Sequence, residues 1–383
     1  MLNFKPQKLF FVVNVDWFFL SHRLSIALAA QKNGYEVTII TGNSGRINEI
    51  GQVGLQYIEM PVSRAGTNIF KELNALWFLV KLYVVERPDL VHHVSPKMVA
   101  YGSLAARLTG TKALNAVSGL GTLFSEENSH NIFRKIILFL FKLGLGDESQ
   151  KVIFQNKDDE HLFVNKNIIK PHQAILIMGS GVDLQKFSYS ERKSNQNEII
   201  ITLPARMLYD KGIVEFVEMA QLVKEQLPNI ALKLQLAGGT DEGSAKGISQ
   251  KQLKEWDSKG FVCWLGHQDN MADILVNTDI VVFTSYREGL PKSLIEACAI
   301  GRPIICFDVV GCREVVKNGI NGYLIPFKNI DKLVESVINL VENKNLRTIM
   351  GINGREIAEE KFGLEKVIEK TLLAYKRLLS KEE

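Results

Sequence analysis

Two successive doubly wound α/β domains, each a parallel sheet covered by helices on both faces, are the architecture this sequence predicts. Short apolar runs alternate with helix-length segments nearly throughout, the signature of strands buried on both faces between crossover helices. The alternation restarts after Gly179-Ser180-Gly181. The chain has 383 residues, 46% of them hydrophobic and 23% charged, which suits two domains with large cores and excludes a disordered chain.

The strands expected before the restart are LFFVVN, EVTIIT, LQYIEM, DLVHHV, KALNAV, KVIFQN and AILIM. Those after it are IIITLPA, KLQLAGG, FVCWLG, DIVVFTS, PIICFD and GYLIPF, followed by a helical tail from about Asn329. The expected division is residues 1–180, residues 181–365, and a helix over 366–383 that packs back toward the N-terminal domain. In open sheets of this kind ligands bind outside the carboxyl ends of the strands, so the site is expected in a central cleft between the two domains.

The N-terminal stretch imitates a leader peptide, with early lysines, an apolar run and small residues near Ala30. Asn14 and Asp16 interrupt the run, and His22 and Arg23 follow it, so a strand (Leu9–Asn14), a loop and a helix (Ser21–Lys32) are expected instead. No apolar run reaches the roughly 18–20 residues of a membrane span. Cys263, Cys298, Cys306 and Cys312 show no C-x-x-C spacing and read as reduced, mostly buried thiols, which fits a cytoplasmic compartment. Residues 1–180 carry 19 Lys and Arg against 14 Asp and Glu, and the remainder 27 against 28. A surplus of +5 in the first half is too mild to argue for nucleic acid.

The stretch SYREGLPKSLIEACAIGRP, residues 285–303, places Glu288 and Glu296 eight apart around Gly289, Leu290 and Pro291. Pro291 suits the first helical position, where no N–H is needed. Glu288 then lies in a loop and Glu296 in a helix. Amides freed near a helix start attract phosphate, and carboxylates accept from hydroxyls. Loop amides with two acids suggest a ligand carrying both a diphosphate and vicinal hydroxyls, as a nucleotide sugar does. The plainer alternative is a helix-capping Glu288 and a solvated Glu296. In LPARMLYDKG, residues 203–212, Arg206 and Lys211 bracket a loop at the end of the second domain's first strand, where a guanidinium fork and an ammonium suit phosphate oxygens.

The ordered set ARMLYDKG, LAGG, WLGHQ, TSYREGLPKSLIEACAIGRPII and NGYLI resembles the second domain of retaining family-4 glycosyltransferases of the GT-B fold, whose E-x7-E signature Glu288 and Glu296 match. The resemblance covers nearly the whole chain, most strongly from about 198 to 326. It implies that Glu288 meets the donor sugar's hydroxyls beside the amides of the Gly289–Pro291 stretch, and that Glu296 accepts from the ribose. It further implies that Arg206 and Lys211 hold the diphosphate, and that Gly266, His267 and Gln268 lie near the base. In the first domain the stretch NAVSGLGTLFS has Ser118, Gly119 and Gly121 where many relatives carry a histidine. Bacterial N-acetylgalactosaminyltransferases of lipid-linked oligosaccharides look similar there, and share an arginine matched by Arg23. His92 and His93 are expected to end the fourth strand, and His92 is a further acceptor-side candidate, with a packing role as the alternative.

No Asp-x-Asp pair sits at a strand end, and Asp158-Asp159 is expected to open a helix. No metal or cofactor is expected: Arg206, Lys211 and helix amides can neutralise a leaving diphosphate. The apolar, basic segments 68–87 and 131–146 are either buried crossover helices or surfaces lying on an anionic membrane. The resulting expectation is a transferase peripherally attached to the inner membrane. It would move an N-acetylhexosamine from a UDP-linked donor to a polyprenyl-diphosphate-linked saccharide in O-antigen, capsule or glycan assembly. A hydrolysing nucleotide-sugar epimerase and a non-catalytic nucleotide-sugar-binding subunit are the alternatives. A dinucleotide oxidoreductase is disfavoured, because no G-x-G-x-x-G follows the first strand of either half.

Overall fold

The computed structural model describes residues 6–62, 69–121, 132–192, 198–241 and 243–380. The chain forms two compact units, one of Met1–Ser180 with Glu365–Glu383 and one of Gly181–Leu364.

The first unit runs β1 (Lys8–Val13), α1 (Asp16–His22), α2 (Leu24–Lys32), β2 (Glu36–Thr41), α3 (Ile47–Gln52), β3 (Gln56–Glu59), α4 (Ile69–Glu86), β4 (Leu90–Val94), α5 (Pro96–Thr109), β5 (Ala113–Val117), α6 (Ile132–Leu145), β6 (Gln150–Phe154), α7 (Lys157–Asn165) and β7 (Ala174–Leu176). Its seven strands are parallel in the order β3-β2-β1-β4-β5-β6-β7, so every carboxyl end lies on one edge. Phe11, Phe19 and Ile26 fill one face of the sheet, and Val12, Leu79 and Tyr83 another cluster.

The second unit runs β8 (Glu198–Pro204), α8 (Ile213–Gln226), β9 (Ala231–Ala237), α9 (Gln250–Ser258), β10 (Cys263–Trp264), α10 (Met271–Val276), β11 (Ile280–Phe283), α11 (Lys292–Ile300), β12 (Ile304–Phe307), α12 (Cys312–Val315), β13 (Gly322–Ile325), α13 (Ile330–Glu342) and α14 (Lys344–Ile357). Its strands are parallel in the order β10-β9-β8-β11-β12-β13. The last helix, α15 (Leu364–Leu379), places Val367, Ala374, Tyr375 and Leu378 in the first unit's core.

The chain after β1 differs from the expected loop followed by a helix over Ser21–Lys32. A helix begins at Asp16 and breaks at Arg23 (φ −127°) before α2. The reason is Asp16, which is fully buried and accepts from the amides of Trp17 at 2.7 Å, Ser44 at 2.9 Å and Arg46 at 2.9 Å, and from the Ser44 hydroxyl. An acid in the first turn also complements the helix dipole.

The histidine pair is corrected too. His92 and His93 sit inside β4, not at its end, and both are fully buried. His93 bonds the Tyr83 hydroxyl at 2.8 Å and Asn115 Oδ1 at 2.7 Å, and Asn115 Nδ2 donates to Gln150 Oε1 at 2.9 Å. These pairs satisfy a polar row across β4, β5 and β6. Burial pushes the His93 imidazole down to about 4, so it is neutral at physiological pH.

Asp158 and Asp159 lie in the first turn of α7, whose cap is Asn156. Cys298, Cys306 and Cys312 are buried and Cys263 is half-buried. Burial raises the Cys298 thiol to about 12, so it stays protonated. Among the described residues, no helix is long and apolar enough to cross a membrane.

Candidate active site

The strand order of the second unit lines up the charged residues. From β10 through β9 and β8 to β11, the carboxyl ends carry in turn Gly266–Gln268, the Gly238–Asp241 loop, Arg206 and the Ser285–Pro291 loop.

The β8 and β11 ends are stitched together. Tyr286 N–H donates to Asp210 C=O at 3.0 Å, and Thr284 Oγ1 donates to Gly212 C=O at 2.7 Å. Gly212 has φ +67°, and a Cβ there would lie 2.0 Å from the Thr284 oxygen. Only glycine allows that approach. It brings Lys211 Nζ to 2.5 Å from Glu288 Oε1, which also accepts from Ser285 Oγ at 2.6 Å. Glu288 N–H donates to Val310 C=O at 3.2 Å, so the acid is held through its backbone as well.

Glu288 does not cap the following helix. Pro291 occupies the cap position and Lys292 the first turn, a one-residue shift from the expected Pro291 start. The Leu290 amide has no acceptor among the described residues. Glu296, one turn into α11, is 7% exposed rather than solvated. Its Oε1 lies 3.6 Å from Lys292 Nζ. Burial raises its carboxyl above the usual range, and Lys292 and Lys186 oppose that only partly.

Arg206 extends from the β8 end with its Nη1 2.7 Å from Asp241 Oδ2. Gly238 permits the close approach of the two loops, since a Cβ there would lie 1.9 Å from the Ala205 oxygen. His267 is mostly exposed, with Nε2 3.3 Å from Asp269 Oδ1, and Gln268 Nε2 donates to Leu265 C=O at 2.6 Å. Gly266 turns the chain at φ +70°.

Sequence reasoning missed three participants here. Ser285 lies inside the acid motif and carried the signal of adjacency. Asp241 and Tyr286 carried none; Tyr286 donates to Glu215 Oε1 at 2.5 Å, and Lys328 Nζ sits 4.4 Å over its ring. The arrangement can do two things chemically. Arg206 and Lys211 present positive charge to a polyanion, and Glu288 and Glu296 present acceptors to hydroxyls. Among the described residues no group of three or more His, Cys, Asp or Glu is placed to hold a metal ion.

In the first unit, Ser118 and Gly119 follow β5 half-buried, and Gly119 and Gly121 have φ +117° and +63°. Arg23 is 3% exposed and its guanidinium makes no hydrogen bond among the described residues. Burial lowers it to about 10, with Tyr375 opposing, so it remains charged at neutral pH. His92 Nδ1 bonds the Tyr375 hydroxyl at 2.6 Å, and its Nε2 is buried without a partner. The ring is therefore enclosed beside Arg23 and Tyr375 and does not face open space.

Two family models match the chain: "Glycosyl transferases group 1" over residues 185–357 and "Glycosyl transferase 4-like" over residues 8–156. The N,N'-diacetylbacillosaminyl-diphospho-undecaprenol alpha-1,3-N-acetylgalactosaminyltransferase of Campylobacter jejuni is 29% identical, over 89% of this chain and 93% of its own. The Staphylococcus aureus capsular polysaccharide biosynthesis glycosyltransferase CapM is 24% identical, over 99% of each chain. Among solved structures, a glycosyltransferase from Rickettsia africae superposes with a TM-score of 0.77 at 19% identity, covering 99% of this chain and 100% of its own. Anabaena HepE in complex with UDP and glucose gives 0.75 at 15% identity, covering 97% and 100%. With both halves matched and both parallel sheets in place, the chain belongs to the group 1, family-4-like glycosyltransferases of the GT-B fold.

Proposed function

We propose that this glycosyltransferase moves an N-acetylhexosamine from a UDP-linked donor to a hydroxyl of a polyprenyl-diphosphate-linked saccharide, with retention at the anomeric carbon and without a metal ion. The observation that carries the reading is the Lys211–Glu288 pair at 2.5 Å, set beside Arg206 on adjoining strand ends. Arg206, Lys211 and the Leu290 amide meet the diphosphate and the charge that develops on it. Glu288 accepts from the donor sugar, Glu296 from the ribose, and the Gly266–Gln268 turn borders the base. In the reaction the bond from the anomeric carbon to the diphosphate oxygen breaks, and the acceptor oxygen bonds that carbon on the same face. The acceptor's proton passes to the departing phosphate oxygen, so no protein nucleophile is required.

The lipid-linked acceptor is supported by the activity of the Campylobacter relative, and by that of an Escherichia coli alpha-1,3-galactosyltransferase of diphosphoundecaprenol-linked N-acetylglucosamine, 23% identical over 88% of this chain. Peripheral attachment to the cytoplasmic face of the inner membrane is supported by two helices. On α4, Leu73, Trp77 and Val84 are exposed, and on α6, Ile136, Phe139 and Leu143, with Lys135 and Lys142 beside them. Exposed apolar stripes flanked by lysines suit an anionic bilayer surface, where each basic residue contributes roughly 1 kcal/mol.

The test is protection from thermal unfolding by UDP-, GDP- and TDP-sugars, followed by transfer to a polyprenyl-diphosphate-linked saccharide in the presence of EDTA. UDP-N-acetylhexosamines should protect best and transfer should survive EDTA, with an α-linked product from an α-linked donor. A GDP-mannose response with none to UDP-sugars would sink the donor assignment.

A further inference from the structure

We propose that the amino edge of the second unit's sheet holds a further anion site, a cavity among Arg192, Arg302 and Arg347 that takes a small multivalent phosphate. It lies at the opposite edge of the sheet from Arg206 and Lys211, and no step of the transfer reaction calls on it.

Strands β8, β11 and β12 are parallel neighbours, so their amino ends share one edge. A cavity of about 360 Å³ opens there. Its wall comes from Tyr189 and Arg192 ahead of β8, from Asp279 just before β11, from the turn between α11 and β12, and from the start of α14. That volume is at the small end for ligand pockets and suits a compact molecule.

The charge inside is unbalanced. Asp279 accepts from Arg192 Nη1 and from the Ile200 amide at 2.8 Å, and it also acts on Arg302 and Arg347. Burial lowers the Arg302 guanidinium to about 10, with Asp279 opposing and Arg192 adding to the shift, so Arg302 stays charged at neutral pH. Burial lowers Arg347 too, with the same two neighbours acting on it. Glu191 and Glu198 also line the cavity, but neither is among the groups acting on Arg302 or Arg347. Three guanidiniums around one carboxylate leave a surplus of two positive charges, in surroundings that screen them less than open water does.

Donors are left over as well. Arg302 is spent, giving Nε to Leu275 C=O and Nη2 to Val276 C=O, both at 2.9 Å, at the end of α10. Arg347 uses only Nη1, on Leu340 C=O at 2.5 Å and Val341 C=O at 2.8 Å. Its Nε and Nη2, an edge that can fork onto an oxyanion, make no hydrogen bond among the described residues. Arg192 donates through Nη1 and Nη2, and its Nε is likewise unused. The Tyr189 hydroxyl makes no hydrogen bond among the described residues, although Tyr189 is near enough to act on Arg302. Its ring is fixed against Gly301, where a Cβ would lie 2.6 Å from it. Closing two helix ends explains Arg302 and one nitrogen of Arg347. It does not explain gathering the remaining donors and the surplus charge at one cavity. A phosphate group accepts several N–H and O–H bonds at once and brings more than one charge, whereas a carboxylate brings one.

The experiment titrates full-length protein with inorganic diphosphate during thermal unfolding, with saturating UDP present to occupy the donor edge. Potassium chloride of equal ionic strength is the control. Diphosphate should raise the wild-type melting temperature by about 3 °C beyond the chloride control. Arg347→Gln should weaken the apparent dissociation constant about tenfold. Thr348→Glu, which puts an acid at an exposed position lining the cavity and leaves every arginine bond in place, should weaken it similarly and keeps the test valid if Arg347→Gln unfolds. Tyr189→Phe should weaken it less, and the shift given by UDP should be unchanged in all three. Protection of equal size in Arg347→Gln and Thr348→Glu overturns the site, as does protection that chloride reproduces or that disappears in Lys211→Ala. A protein that UDP does not protect defeats the donor reading instead, and the dependence of diphosphate protection on Arg347 and Thr348 then still decides the cavity.

Discussion

Asp16 in the first unit and Glu296 in the second are both buried carboxylates near the start of a helix, and their surroundings treat them in opposite ways. Burial pushes Asp16 up, but the Ser44 hydroxyl and the amides of Ser44, Arg46 and Trp17 outweigh it and hold the carboxyl below its ordinary value. Glu296 has only Lys292 at 3.6 Å and the more distant Lys186 against its burial, and its carboxyl is raised. The first acid serves the fold, and the second is held at a cost that the fold does not recover by itself. The same contrast runs through both sheet edges. In the second unit Arg206, Lys211 and Lys292 are each matched by an acid, so the edge is charged and internally neutralised. In the first, Asn14, Ser95 and Ser118 are uncharged and unmatched.

The largest effect expected from breaking this contrast is at Glu288. Glu288→Ala should lower kcat/KM for transfer by roughly 10²-fold or more, because it removes the proposed donor contact and frees Lys211 from its partner. Glu288→Gln, which keeps the shape and the Ser285 bond, should retain more activity. Transfer rates with saturating acceptor measure both, and wild-type turnover in Glu288→Ala would remove Glu288 from the site. Next in size is Asp16→Ala, expected to destabilise the protein by about 2 kcal/mol at neutral pH by orphaning three amides. Because the folded carboxyl lies below its unfolded value, the stability it supplies is present above the ordinary aspartate value of 3.8 and is lost as pH falls through the folded one. The penalty of Asp16→Ala should therefore shrink in acid, as chemical denaturation from pH 7 to pH 3 would report. A penalty independent of pH would mean that packing, not charge, is what Asp16 supplies.

Much of this was legible in the sequence, for a physical reason. Parallel strands buried on both faces read as unbroken apolar runs, so DIVVFTS and KALNAV announced β11 and β5 without ambiguity. The charged edge of the second unit was legible because its members are local: Glu288 and Glu296 share one segment, and Arg206 and Lys211 another. What failed was whatever depends on register between distant segments. Nothing in the letters says that Asn14 and Ser95 leave the sheet together, or that Asp241 would meet Arg206. The aromatic run Trp17–Leu20 hid the start of α1, because an apolar sequence after a strand carries no sign of which period it follows. His92 and His93 were displaced for a related reason: strand ends are set by the neighbouring chain, and β4 continues to Val94.

The smallest effect separates a charge kept for a ligand from one kept for the fold. A carboxyl whose folded value is raised contributes stability that is fully present below its unfolded value, 4.5, and is lost as pH rises through the folded one. At neutral pH Glu296 is therefore a burden on the second unit. Glu296→Gln should remove it, raising the melting temperature by about 2 °C at pH 7, the size expected for a fraction of a kcal/mol to 1 kcal/mol in a unit of this length, with no gain at pH 4. The same substitution should raise the donor KM several-fold, since a carboxamide accepts more weakly from vicinal hydroxyls than a carboxylate does. Calorimetry at the two pH values and donor titration of the one variant give both readouts. Stabilisation with no loss of donor affinity would make Glu296 a packing residue, and loss of affinity with no stabilisation would mean that Lys292 already compensates it. Only the combination, a more stable protein that binds its donor less well, identifies a carboxylate that the second unit keeps for its substrate.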